Sequence, residues 1–147
     1  MIDFKSFIEI KDLIDTNKIN AIELVNDVTN KLETVGRSLN AVRFVFKEFA
    51  IERAKKLLEK QEQELPLNCI PLAHKELFQR LQKNGISWPN EGGSRSREGL
   101  KSDKTAKVIS LLDKAGSIDC GRLVSVEYAF GVTGHNNYAG TPKNSLE

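Results

Sequence analysis

The sequence has few cysteines and no long apolar run, and each shortage excludes a class of protein. Its two cysteines, Cys69 and Cys120, are far apart and form no C-x-x-C pair, so neither a disulfide framework nor a zinc cluster is expected. Two buried thiols are predicted instead. Apolar runs such as 69–73 are much shorter than the ~20 residues that span a bilayer, and residues 1–5 lack a secretory signal pattern. We therefore expect no membrane partner and a cytoplasmic location.

The sequence also lacks an excess of charge of one sign. Its 22 basic and 20 acidic residues give a net charge of +2, too even to attract nucleic acid by itself. The glycine-rich stretch 91–97 has neither spacing typical of phosphate-binding loops, so no nucleotide cofactor is expected. No cluster of Asp, Glu, His and Cys surrounds His74 or His135 at ligand spacing, and no metal site is predicted.

The apolar residues that are present predict one domain over 1–147, with a helical region at 1–65 and a βαβ-like portion at 66–147. Asn17 is expected to end the first helix in a left-handed conformation, and Asn20 to cap the second, which Gly36 ends. Ser102 or Asp103 is expected to cap the fourth. The helical spacing predicts helices over 4–15, 21–35, 46–63 and 104–114.

Strands are predicted only in the second half. The short apolar run 69–73 favours a buried strand, in which Pro71 must lie at an edge, at the strand start or at a bend. A second strand is expected over 117–120, and 79–101 is predicted to be a long exposed loop or a minimal hairpin. The expected fold class is α/β, with N-terminal helices followed by part of a mixed sheet flanked by helices.

Lys75 is the ionisable residue of most interest, because it directly follows the apolar run. A lysine withdrawn from water at a strand end can lose its proton and act as a base toward a hydroxyl. The alternative is a side chain that simply reaches solvent from the strand end. The residue and its position leave both interpretations open.

Several segments in register resemble the amidase signature family. Residues 67–76, L-N-C-I-P-L-A-H-K-E, are similar to its "G-I-P-[IL]-A-x-K-[DE]" segment, and 92–94 to its "G-S" turn. Residues 105–118 resemble its "T-A-x-V-[VI]" helix and "A-G-A-I" strand. The segments 121–131 and 140–144 resemble "G-[KR]-x-N-x-x-E-F-A-x-G" and "G-x-x-x-N-P", although Val124 and Ser145 stand in place of the usual Asn and Pro. The likeness extends from about residue 17 to 144.

This resemblance implies an incomplete amidase-signature fold in which Lys75 is the base of a Ser–cis-Ser–Lys triad. The Gly/Ser-rich segment that carries both catalytic serines of the family would follow the "N-P" position, whereas this sequence stops at Glu147. Ser94, Ser96, Ser125 and Ser145 do not match that segment, so no nucleophile is assigned.

Three functions follow from these observations. The first is the N-terminal part of an amidase that cleaves carbon–nitrogen amide bonds of a small-molecule substrate, inactive as this chain alone. The second is a truncated, non-enzymatic paralogue that acts as a binding or interaction module. The third is a transamidating subunit that handles misacylated tRNA and needs partner subunits. A partly built sheet would also expose apolar surface, which predicts self-association through sheet or helix faces.

Overall fold

A three-stranded mixed sheet forms the centre of the structure, a computed structural model that describes residues 6–59, 65–81 and 88–146. β3 lies in the middle, antiparallel to β1 and parallel to β2. The strands are β1 (Val42–Val45), β2 (Pro71–Lys75) and β3 (Ile118–Leu123). The predicted α/β class with a mixed sheet is therefore confirmed.

All four predicted helices are present, and shorter helical turns connect the elements. The parts of the predictions that include Phe4 and residues 60–63 lie outside the described residues. The helices are α1 (Phe7–Asp15), α2 (Ala21–Lys31), α3 (Lys47–Glu59) and α4 (Lys107–Lys114); a π-helical turn covers Leu32–Gly36, and 3₁₀ turns cover Arg95–Arg97 and Glu127–Ala129. Among the described residues, no helix combines the length and apolarity needed to cross a bilayer.

Local side-chain chemistry explains the ends of the first two helices. Ser6 and Glu9 form a reciprocal capping box at the start of α1. Asn17 follows this helix with a φ of 55°, which confirms the predicted left-handed stop. The side chain of Asn20 accepts hydrogen bonds from the backbone N–H groups of Ile22 (2.9 Å) and Glu23 (3.3 Å), so the predicted cap of α2 is also confirmed.

Two predicted helix ends are wrong, because tertiary contacts use the residues concerned. Gly36 is the last residue of the π-helical turn, but helical backbone continues over 37–38, so Gly36 is not a left-handed stop. A Cβ there would lie 2.5 Å from Cγ2 of Val42. Ser102 does not cap α4, which begins at Lys107 after Ala106. The buried Ser102 hydroxyl instead accepts a hydrogen bond from the backbone N–H of Arg80 at 3.2 Å.

The core lies where α2 and α3 pack against each other and against β3. Ala50 and Ala54 of α3 are completely buried, so the helix backbone can approach its neighbours closely. Both cysteines are free and belong to this core, which confirms the predicted buried thiols. Burial raises the pKa of the Cys69 thiol to about 11 and that of Cys120 to about 12, so neither is a reactive thiolate at neutral pH.

The two outer strands of the sheet differ from the sequence prediction, β2 in its bounds and β1 in its existence, although Pro71 lies where it was expected. Pro71 is the first residue of the edge strand β2, one of the positions predicted for it, where its missing N–H breaks no central ladder. The strand itself lies two residues further along than predicted. β1 was missed, because it has only four residues and pairs with a strand more than seventy positions later.

Gly121 allows β1 to approach β3, and Gly121→Ala is expected to destabilise the fold by about 2–3 kcal/mol, as overpacking does. A Cβ at this position would lie 2.5 Å from the carbonyl oxygen of Phe44, so the two strands must separate. Urea denaturation measures the loss, and amide hydrogen exchange should quicken in β1 more than in β2. An unchanged unfolding midpoint would contradict this close approach.

Candidate active site

Lys75 is the last residue of β2 and is half-buried. It lies opposite Leu123 of β3, and the next N–H, that of Glu76, donates to the Leu123 carbonyl at 3.2 Å. The chain then turns, with the N–H groups of Leu77 and Phe78 both donating to the Lys75 carbonyl. Within the described part of the chain, the Lys75 ammonium has no hydrogen bond or ion pair. The backbone of Lys75 is thus fixed by hydrogen bonds, whereas its amine is not bonded to any described residue. We call this amine uncommitted.

Glu76 connects the end of β2 to the glycine-rich loop. Its side chain is buried, and Oε1 accepts a hydrogen bond from the backbone N–H of Glu91 at 3.2 Å. Burial raises the pKa of Glu76, against the opposing effects of this N–H and of Arg43. Oε2 has no hydrogen-bond partner among the described residues. The residue after the candidate base is therefore part of the interior.

Residues 88–94 of the predicted segment 79–101 are largely buried, so the expectation of a long exposed loop is wrong for them, whereas the alternative of a minimal hairpin agrees with an isolated antiparallel bridge. Trp88 is 2% exposed and Ser94 completely buried, and Pro89 forms an isolated bridge with Lys101. Residues 82–87 of the predicted loop lie outside the described residues. An ion pair of 2.7 Å between Arg43 and Glu91 holds the loop against β1. Although burial opposes it, this contact keeps the pKa of Glu91 below its usual value.

The four serines that do not match the family's signature segment have hydrogen-bond partners other than Lys75 or are exposed. Ser94 donates to Glu127 at 2.6 Å and shares a hydrogen bond of 2.8 Å with Ser96. Ser96 is also hydrogen bonded to the Tyr128 hydroxyl at 2.9 Å. The Ser125 hydroxyl donates to the backbone carbonyl of the residue that follows it, at 2.7 Å, and Ser145 is exposed. None of the four is hydrogen bonded to the lysine.

A buried ion network lies close to β2 and was missed by the sequence analysis. Asp119 accepts hydrogen bonds from Nη1 of Arg122 at 2.7 Å and from Nε of Arg80 at 2.9 Å. Arg80 also forms a two-pronged ion pair with Asp113, at 2.8 and 2.7 Å. Both guanidinium groups lie about 5 Å from the Trp88 ring, at 5.1 Å for Arg80 and 5.0 Å for Arg122. No spacing pattern indicates the network, because its members come from separate segments.

The two histidines lie in different surroundings. His74 precedes Lys75, and its Nε2 lies 3.9 Å from an oxygen of Asp119. Burial lowers the pKa of His74, although the Asp119 carboxylate opposes this, so the imidazole beside the candidate base is neutral at pH 7. Nδ1 of His135 lies 3.1 Å from the Thr141 hydroxyl. No group of three or more metal-ligating side chains is present in the described part of the chain.

Asn136 organises the segment after β3, a role that the sequence analysis did not assign. Its side-chain amide donates to the carbonyls of Gly93 and Ser125, both at 2.7 Å. Its side-chain oxygen accepts from the N–H groups of Tyr138 (2.8 Å) and Ala139 (2.7 Å). One buried side chain therefore joins the glycine-rich loop, the end of β3 and the turn that follows.

Asn136→Ala is expected to destabilise the protein by about 2–3 kcal/mol, because two buried carbonyls lose their donor. Asn137→Ala is the matched control. This side chain is exposed, so its removal should change the free energy of unfolding by no more than about 0.5 kcal/mol. Thermal and urea unfolding of both variants measure the difference. Equal stability of the two would show that Asn136 does not hold the three segments together.

Comparison with known proteins identifies the family. The Amidase family model matches residues 23–147, so the chain belongs to the Amidase family. The chain is 31% identical to the A-type subunit of a glutamyl-tRNA(Gln) amidotransferase from Aromatoleum aromaticum, over 95% of this chain and 28% of the relative. It is 32% identical to an A-type subunit of the same enzyme from Clostridium acetobutylicum, over 95% of this chain and 29% of that protein. The chain thus spans less than a third of these relatives' length.

Solved structures agree with this assignment at the level of the fold. A bacterial aryl acylamidase of the amidase signature family superimposes with a TM-score of 0.85 at 25% identity, over 98% of this chain and 30% of that protein. The peptide amidase of Stenotrophomonas maltophilia gives a TM-score of 0.80 at 18% identity, over 97% and 30% respectively. The described sheet and helices are therefore part of the amidase signature fold.

Proposed function

We propose that this chain carries the base-lysine segment of an amidase that cleaves carbon–nitrogen amide bonds in small molecules. In this proposal Lys75 takes a proton from a bridging serine, which takes one from the nucleophilic serine. The nucleophilic oxygen bonds to the amide carbon, the carbon–nitrogen bond breaks, and the proton taken up by Lys75 passes to the leaving amine. Water then hydrolyses the acyl-enzyme and releases the carboxylic acid. Both serines, and the donors that stabilise the oxyanion, belong to amidase sequence that these 147 residues do not include.

The observation that carries the proposal is the uncommitted amine of Lys75 on a fixed backbone. A lysine acts as a base only after it releases its proton, and an ion pair with a carboxylate would oppose that release. The half-buried Lys75 makes no such pair with the described residues. Its neighbour His74 adds no competing positive charge at neutral pH.

The chain by itself is expected to hydrolyse no simple amide or anilide, because a base without nucleophile and oxyanion donors lacks most of the catalytic effect. The test compares the purified chain with a chimera in which it replaces the matching segment of the Aromatoleum relative. Turnover by the chimera, together with no turnover by the purified chain, supports the proposal. A folded but inactive chimera favours the binding or interaction module, and turnover by the chain that Lys75→Ala abolishes would show that it holds its own nucleophile.

The curated relatives favour a second candidate, a subunit of a tRNA-dependent amidotransferase. Both of the amidotransferase relatives are named as such subunits, at 31% and 32% identity. The net charge of +2 gives this chain little overall attraction for tRNA, so in this candidate partner subunits would supply most of the basic surface. Transamidation by the chimera together with the relative's partner subunits, without hydrolysis of simple amides, would favour this candidate.

The cytoplasmic setting and self-association are parts of the same proposal. Free buried thiols are compatible with a reducing compartment. Large apolar side chains such as Phe130 and Val132 are exposed, and β2 has only one partner strand among the described residues. Analytical ultracentrifugation of the chain tests self-association, for which a monomer at all concentrations is the contrary result.

A further inference from the structure

A cavity of about 580 Å³ with a mixed polar and apolar lining lies between the glycine-rich loop and the segment that follows β3. Its volume falls within the range of roughly 300–1,000 Å³ that is typical of small-molecule sites. Lys75 does not line it. The side chains that matter for its chemistry are those of Arg95, Glu127, His135, Asn136, Asn137 and Tyr138.

Two of the walls are fixed by hydrogen bonds that do not involve a ligand. The four bonds of the Asn136 side chain hold the turn at Tyr138 against the glycine-rich loop. The Tyr138 hydroxyl donates to Glu91 at 3.2 Å, and its ring lies 5.0 Å from the Arg43 guanidinium. A ligand would therefore enter a cavity whose shape is already formed, which lowers the entropy cost of binding.

The cavity contains one charge of each sign, and these charges do not pair with each other. The Arg95 guanidinium is exposed and forms no ion pair with any described carboxylate. The Glu127 carboxylate accepts the Ser94 hydroxyl at 2.6 Å but is not paired with a cation in the described ranges. Opposite charges that line one cavity without pairing leave both available to a ligand.

We propose that this cavity binds a small zwitterion of the free α-amino acid class. The carboxylate of such a ligand matches the planar donor set of Arg95, and its ammonium group matches the carboxylate of Glu127. The amide of Asn137 and the second ring nitrogen of His135 provide further polar contacts. A simple anion or a simple cation would satisfy only one of the two charges.

Titration of the ¹⁵N-labelled 147-residue chain with L-alanine, followed by amide chemical shifts, tests the proposal. Saturable shifts are expected at residues 93–97 and 127–138, with affinity at least about fivefold higher than for acetate or methylammonium. Arg95→Ala and Glu127→Gln should each weaken alanine binding about fivefold, as expected for exposed charge pairs. Neither substitution threatens the fold, because Arg95 is unpaired among the described residues and glutamine can still accept from Ser94.

Two exposed residues serve as matched controls. Lys104→Ala removes one positive charge and Glu48→Gln one negative charge at positions that do not line the cavity, and both variants should bind alanine like the parent. The proposal is overturned if alanine causes no saturable shift up to about 100 mM. It is equally overturned if acetate binds as well as alanine, or if Arg95→Ala and Glu127→Gln bind like the two controls.

Discussion

Lys75→Ala in an active chimera with the Aromatoleum relative is expected to lower turnover by a factor of about 10⁴–10⁶, the loss seen when one member of a catalytic triad is removed. The loss is expected in kcat more than in KM, because the proposed role of the amine is to transfer a proton in the transition state. Lys75 has no hydrogen bond or ion pair with the described residues, so its removal should leave the fold intact.

The control for this substitution is Lys101→Ala, which removes the same charge from an exposed position and should keep the activity of the chimera. Lys75→Arg gives a second comparison, since arginine retains a positive charge but cannot act as a base at neutral pH. Loss of turnover in both Lys75 variants, with turnover retained in the Lys101→Ala control, supports the role of Lys75 as the base. Turnover within about tenfold of the parent in Lys75→Ala would exclude Lys75 as the base.

Asp119→Ala is expected to destabilise the chain by about 3–5 kcal/mol, the usual result of removing one partner from a buried ion pair. Arg122 is completely buried, and Asp119 is the only carboxylate hydrogen bonded to it among the described residues. Nε and Nη2 of Arg122 have no hydrogen-bond partner in the same part of the chain, so no second described carboxylate compensates the charge of the guanidinium. The charge of Arg80 remains compensated in Asp119→Ala, because Arg80 keeps its ion pair with Asp113.

Urea denaturation of Asp119→Ala and of the exposed control Asp103→Ala measures this effect, and the control should change stability by less than about 0.5 kcal/mol. The double variant Asp119→Leu with Arg122→Met removes both charges of the pair. It should recover much of the lost stability, because a neutral buried pair carries no desolvation cost. A double variant no more stable than Asp119→Ala would show that the unpaired guanidinium does not cause the loss of stability in Asp119→Ala.

The sequence alone determined the features that depend on neighbouring residues. Apolar side chains three and four positions apart produced the helices, and Asn17 and Asn20 marked helix ends through their own local conformations. The motif around Lys75 identified the family, and Pro71 was restricted to an edge, a strand start or a bend because proline lacks an N–H. Each of these properties is carried by a few adjacent residues, so it can be recognised before the chain folds.

Only the tertiary structure decided the features that depend on distant partners. β1 exists because Val42–Val45 meets β3, and Trp88 is buried where its ring packs against Phe46 and Phe49. Ser102 binds the backbone of Arg80 rather than capping a helix. The Asp119 network and the cavity at Asn136 likewise join separate segments. Hydrogen bonds and ion pairs between such segments follow no sequence period, so they appear only when the sheet brings their members together.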